Sequence, residues 1–151
     1  MKKIFIVIVA LLVLLNCFFL PLSLKADTPI IVKLWINSQY MEVNGLRQPI
    51  DAEGTKPIII ESRTLVPIRA IIEAFGGTVT WSPSDKKVTI VLANNTVELT
   101  INKPTAYLNG FAIPIDSNNS KVVPQIINGR TMVPLRFVAE SLGILVGYDA
   151  S

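Results

Sequence analysis

Half of the 151 residues are hydrophobic and 17% are charged, with 14 Lys and Arg against 11 Asp and Glu. Lys2, Lys3 and Lys25 fall in an N-terminal leader, so the chain behind it has 14 − 3 = 11 basic groups against 11 acidic ones, and no electrostatic footprint for nucleic acid. Histidine is absent and Cys17 is the one cysteine, which excludes zinc and type 2 copper sites of the usual kind and all Ser-His-Asp or Cys-His chemistry.

Residues 1–26 read as a secretory signal. Lys2-Lys3 forms a basic start, an unbroken apolar run follows from Ile4 to Leu15, and Leu24-Lys25-Ala26 offers a small residue for cleavage. Two alternatives stay open. The apolar run extends to Leu20 apart from Asn16, close to the roughly 20 residues of a membrane anchor. Leu14-Leu15-Asn16-Cys17 also resembles a lipobox acylated at Cys17, with Asn16 where a smaller residue belongs. All three place the remainder on the extracellular side, secreted or at the cell envelope, with the membrane involved only through the leader.

Behind the leader, residues 30–36 read as a strand, 37–39 as a turn and 40–43 as a returning strand. Asn44-Gly45 is a two-residue hairpin signal, because both residues tolerate positive φ. Residues 46–50 form the next strand, with Pro49 marking an edge. A polar loop at 51–56 leads through the apolar residues 57–60 to Glu61-Ser62.

The stretch at 63–76 organises the chain, and it returns at 130–143, a constant 67 positions later. Each copy reads as a strand running straight into a short helix. Pro67 and Pro134 suit a helix start, where a missing N–H costs nothing. Ile68, Ile71, Ile72 and Phe75 recur at helical spacing, as do Leu135, Val138, Ala139 and Leu142. Gly76 and Gly143 follow as left-handed caps. A helix this short is unstable alone, so flanking strands must cover its apolar face.

Strands are then expected at 78–81, 87–92 and 97–101, with Pro83 in the first turn and Asn94-Asn95 in the second. From Asn102 the pattern starts again. Residues 105–108 and 111–115 flank Asn109-Gly110, a longer loop follows at 117–123, and 124–129 enter the second motif copy. Tyr148 stands where Trp81 stands in the first copy, and the returning strand of that hairpin is missing, so the chain reads as a fragment of a longer one. The expected class is α+β. It comprises a signal at 1–26 and two tandem repeats, 27–101 and 102–151, each an antiparallel sheet wrapped around one short helix, the second truncated.

Residues 127–143 (Ile-Asn-Gly-Arg-Thr-Met-Val-Pro-Leu-Arg-Phe-Val-Ala-Glu-Ser-Leu-Gly) resemble the copper amine oxidase N-terminal-like domain of secreted and surface proteins of Gram-positive bacteria. The resemblance covers residues from about 30 to 151, and the first copy departs from it at Glu61-Ser62, in a turn. It implies an antiparallel sheet around a helix and a stalk-like, non-catalytic role. In that family copper and the tyrosine-derived quinone belong to a different domain with its own histidines, so no cofactor and no copper are expected here.

Arg69 and Glu73, like Arg136 and Glu140, stand four apart on one helix face. They suit either a charged ligand site or structural bonds to carbonyls and ion-pair partners, and the structural reading is preferred. Arg63 and Arg130 cap strand ends or face a partner. Trp35, Trp81, Tyr107 and Tyr148 suit either core packing or stacking on sugar rings, with packing preferred because Trp81 alternates in phase with Val79. Asp51, Glu53, Asp116 and Asp149 show no spacing for acid–base work or calcium. The expectation is a non-catalytic binding or spacer module, its partner a cell-wall glycan or another surface protein. The alternatives are an accessory domain of a larger wall enzyme and an adhesion or dimerisation module using an open sheet edge.

Overall fold

The computed structural model describes residues 28–149. The leader at 1–26, with Cys17, lies outside them. In chain order the described residues form β1 (Val32–Leu34), β2 (Tyr40–Val43), β3 (Leu46–Pro49), β4 (Ile58–Ile60), β5 (Arg63–Pro67) and α1 (Ile68–Ala74). They continue with β6 (Thr78–Ser82), β7 (Lys87–Leu92), β8 (Asn95–Thr100), β9 (Thr105–Leu108), β10 (Phe111–Pro114), β11 (Gln125–Ile127), β12 (Arg130–Pro134) and α2 (Leu135–Ser141). The class is α+β, with antiparallel pairing throughout.

The strands make three sheets, ordered β1-β2-β3, β10-β9-β8-β7-β6 and β11-β12-β5-β4. The four-stranded sheet joins the two motif copies, since β5 pairs directly with β12. Val66 faces Val133, Leu65 faces Pro134, and Pro67 faces Met132. Val66 is opposite its own 67-position counterpart, and Leu65 and Pro67 are each opposite the counterpart of the other, so a pseudo-twofold axis passes between Val66 and Val133. Both valines are fully buried. One continuous core cluster takes residues from both halves, from Met41 and Ile50 to Val138 and Leu142. The repeats are therefore not two lobes with separate cores.

Each helix begins one residue later than the proline signal suggests. Pro67 and Pro134 end their strands in extended conformation as caps, and the helix follows from Ile68 and Leu135. The glycine caps form as expected. Gly76 and Gly143 adopt φ of 80° and 79°, and the next residue's N–H reaches back to Ile72 O and Ala139 O at 3.0 and 2.8 Å. The apolar faces go inward: Ile68, Ile71, Ile72, Val138, Ala139 and Leu142 are buried, with Phe75 and Leu135 packed partly against the core. α1 lies on β6 and β12, and α2 on β5, β12 and β8.

The strand expected at 30–36 shortens to Val32–Leu34, and Asn94 turns with Ala93 instead of Asn95. Two Asn-Gly hairpins have the expected left-handed pairs, Asn44 and Gly45 at φ 50° and 83°, Asn109 and Gly110 at 50° and 85°. Their Asn Oδ1 atoms also accept from Ile31 N and Thr96 N, both at 2.8 Å. That matching contact puts β1 and β8 in equivalent places, 65 positions apart. Residues 144–149 form no strand. Their counterpart β6 is held by hydrogen bonds to β7, and no described strand offers 144–149 the same.

Candidate functional site

A groove of about 690 Å³ runs between α1, the β6–β7 hairpin, the 50–53 loop and the turn into β12. Its polar wall is Asp51, Glu53, Arg69, Glu73 and Arg130, and Trp81 contributes an aromatic surface. The fold brings these together because the 51–53 loop follows β3, whereas Arg130 opens β12 from the other repeat.

Arg130 Nε stands 3.4 Å from Asp51 Oδ2, and its guanidinium also pairs with Glu53. Arg63 makes the mirror-image contact, its Nε donating to Asp116 Oδ2 at 2.7 Å. Each arginine therefore crosses from its own repeat to the loop of the other. Burial works against the Asp51 charge, but hydrogen bonds from Thr55, the Arg130 charge and the Glu53 N–H outweigh it and hold the carboxyl below its ordinary range. Asp116 is also held low, first by the Asn118 N–H and then, against some burial, by Arg63 and the Asn119 N–H. Arg130 is pushed up, chiefly by its hydrogen bond to Glu53.

The helix pairs separate in their surroundings. Arg69 Nη1 donates to Val79 O at 2.7 Å, tying α1 to β6, and lies 3.7 Å from Glu73. Arg136 pairs with Glu140, at 3.5 Å, and among the described residues no strand follows α2 to offer it the carbonyl that β6 offers Arg69. Arg69, Glu73 and Arg130 thus line one groove, while Arg63, Arg136 and Glu140 lie outside it. Trp81 is half-buried and packs on the core beside Val79. Trp35, Tyr107 and Tyr148 are 45%, 47% and 85% exposed, so the core packing preferred for them is not found; Tyr107 lies on β9, Trp35 just after β1 and Tyr148 outside any strand.

Sequence reasoning missed that Asp51, Glu53 and Asp116 are the arginines' partners. The signal was present: Pro49-Ile50-Asp51 recurs as Pro114-Ile115-Asp116, and a repeated acid in a loop marks a repeated contact.

Chemically, a general acid needs a carboxyl raised toward neutral pH. Asp51 and Asp116 are displaced the other way and are tied to guanidinium groups. They are suited to holding a shape and poorly suited to moving a proton.

The model of the copper amine oxidase N-terminal domain family matches residues 48–151, more than half of the chain. The chain belongs to that family. No curated protein and no solved structure matches it. The copper amine oxidase N-terminal domain is a non-catalytic accessory domain. Its name implies copper, but the donor set of this member does not fit the metal. There is no imidazole in the chain, and no three Asp, Glu, His or Cys side chains among the described residues are grouped to share an ion.

Proposed function

We propose that this chain is a non-catalytic binding or spacer module on the outer side of the cell envelope, exported by the leader at 1–26. In this reading it consists of two tandem sheet-plus-helix units, the second incomplete. The observation that carries it is the engagement of the motif's charged groups. Arg63 and Arg130 brace the two repeats, Arg69 ties helix to strand, and the aspartates that receive the two braces are held below their ordinary range. Family membership supports the non-catalytic part, and the leader supports the location.

The groove beside Trp81 combines an aromatic surface with charged hydrogen-bonding groups, a composition that suits a wall glycan. The test is retention of the purified chain on isolated cell-wall sacculi. Binding above a neutral control protein, weakened by Trp81→Ala, is the expected result. Retention indistinguishable from the control removes the glycan and leaves the spacer role.

A second reading, a protein-binding module, is favoured by one feature. The three-stranded sheet ends at β1 in an edge that no described strand covers.

A further inference from the structure

We propose that the hollow adjoining the groove at Trp81 is the subsite for an acidic sugar, a pyranose ring carrying a carboxylate or phosphate group. This rests on the glycan reading above and names the chemistry of the sugar that the protein selects. The hollow has a volume of about 430 Å³ and lies between the β6–β7 turn, the turn after β8 and the start of β11. Trp81 and Ile126 line both the hollow and the larger groove, so the two meet there.

What separates them is how far their polar groups are engaged. In the groove the charged groups answer one another: Arg130 pairs with Asp51 and Glu53, and Arg69 with Val79 O and Glu73. Its three carboxylates also outnumber its two guanidinium groups. In the hollow, the Lys86 ammonium, the Asn102 and Gln125 amides and the Trp81 indole N–H make no hydrogen bond or ion pair among the described residues. Lys86 carries the one charge among the described residues that line it.

The repeat separates what the fold needs from what it does not. Gln125 opens β11 opposite Met132, and its counterpart 67 positions earlier, Ile58, opens β4 opposite Leu65. An isoleucine therefore satisfies that place in the sheet. Gln125 is half-buried and puts an amide there with no partner among the described residues. A polar group drawn partly out of water without a partner costs stability. A ligand hydroxyl reaching it through the hollow offsets that cost.

These groups fit one class of ligand. An amide both donates and accepts, as neighbouring sugar hydroxyls do, and an indole offers an apolar face with an N–H at its edge. Ile126, 49% exposed, extends the apolar wall beside Trp81. Lys86 supplies a charge-assisted bond to an anion, whereas the excess of carboxylates in the groove repels one. The volume lies in the range of small-ligand sites. The pseudo-twofold gives a counterpart of β7 its place beside β1, in another sheet, so the hollow is not a slot for such a strand.

The experiment adds methyl β-glucuronide, glucose 6-phosphate or neutral methyl β-glucoside to the purified chain and follows its indole and side-chain amide NMR signals. The expected result is that Trp81 and Gln125 shift while Trp35 does not, with an acidic sugar binding about two- to fivefold more tightly than the neutral one. Whichever acidic sugar binds more tightly tells a carboxylate from a phosphate as the natural group. Lys86→Gln should abolish the preference. Gln125→Ile, the residue already present at Ile58, should keep the fold and weaken all three sugars about two- to tenfold. The proposal is overturned if the neutral sugar binds as tightly, if the preference survives Lys86→Gln, or if Gln125→Ile changes nothing. It is equally overturned if inorganic phosphate alone binds as well as the sugar phosphate. Sacculus retention that both variants leave unchanged would overturn this subsite and preserve the glycan reading. Sugar binding without sacculus retention would keep the subsite and remove the wall as its source.

Discussion

Arg63 and Arg130 occupy the same place in the two repeats and reach in opposite directions, each to an aspartate that follows a Pro-Ile pair. Both aspartates are held below the ordinary carboxylate value of 3.8 when folded. The stability they contribute is therefore complete above the unfolded pKa and is lost as pH falls through the lowered folded value. Thermal melts between pH 6 and pH 2 should show a steep fall in Tm beginning near pH 4. Asp51→Asn with Asp116→Asn should lower Tm at pH 6 and flatten the acid limb. An acid limb of unchanged slope in the double variant would assign the sensitivity to other carboxylates. These pairs are partly exposed and screened by solvent, so their contribution is small beside that of the buried core.

Among the elements, the turns between β4 and β5 and between β11 and β12 are counterparts with different residues. Asn128-Gly129 takes the left-handed conformation at φ 51° and 73°, and Glu61-Ser62 is forced into it at 52° and 59°. Residues with ordinary side chains pay about 1–2 kcal/mol each for that region, Asn and Gly much less. Glu61→Asn with Ser62→Gly should raise stability by about 1 kcal/mol, since part of the gain is lost to a more flexible unfolded chain. Urea denaturation would show a higher midpoint at unchanged slope. A lower midpoint would mean that the Glu61 contact with Asn119, at 3.4 Å, outweighs the backbone strain.

At the scale of the whole molecule, the β5–β12 pairing and the common core make the two repeats one folding unit. Val66→Ala and Val133→Ala remove the same two methyls on either side of the pseudo-twofold axis. Each should cost about 2 kcal/mol. Both should shift a single calorimetric transition whose calorimetric and van't Hoff enthalpies agree. Two resolved transitions, with each variant moving only one, would show that the repeats unfold separately.

Periodicity and punctuation determined the local elements. Prolines, Gly caps, Asn-Gly turns and the 67-position repeat located both helices and nearly every strand within two residues, because such signals act through backbone conformations settled among near neighbours. The absence of histidine also fixed, before any folding, what chemistry the chain could not host. Only the tertiary structure decided that β5 joins β12 and that Arg63 and Arg130 cross between repeats. Those are pairings between residues about 50 or more positions apart, chosen by which apolar faces can be buried together, and no local pattern encodes that choice.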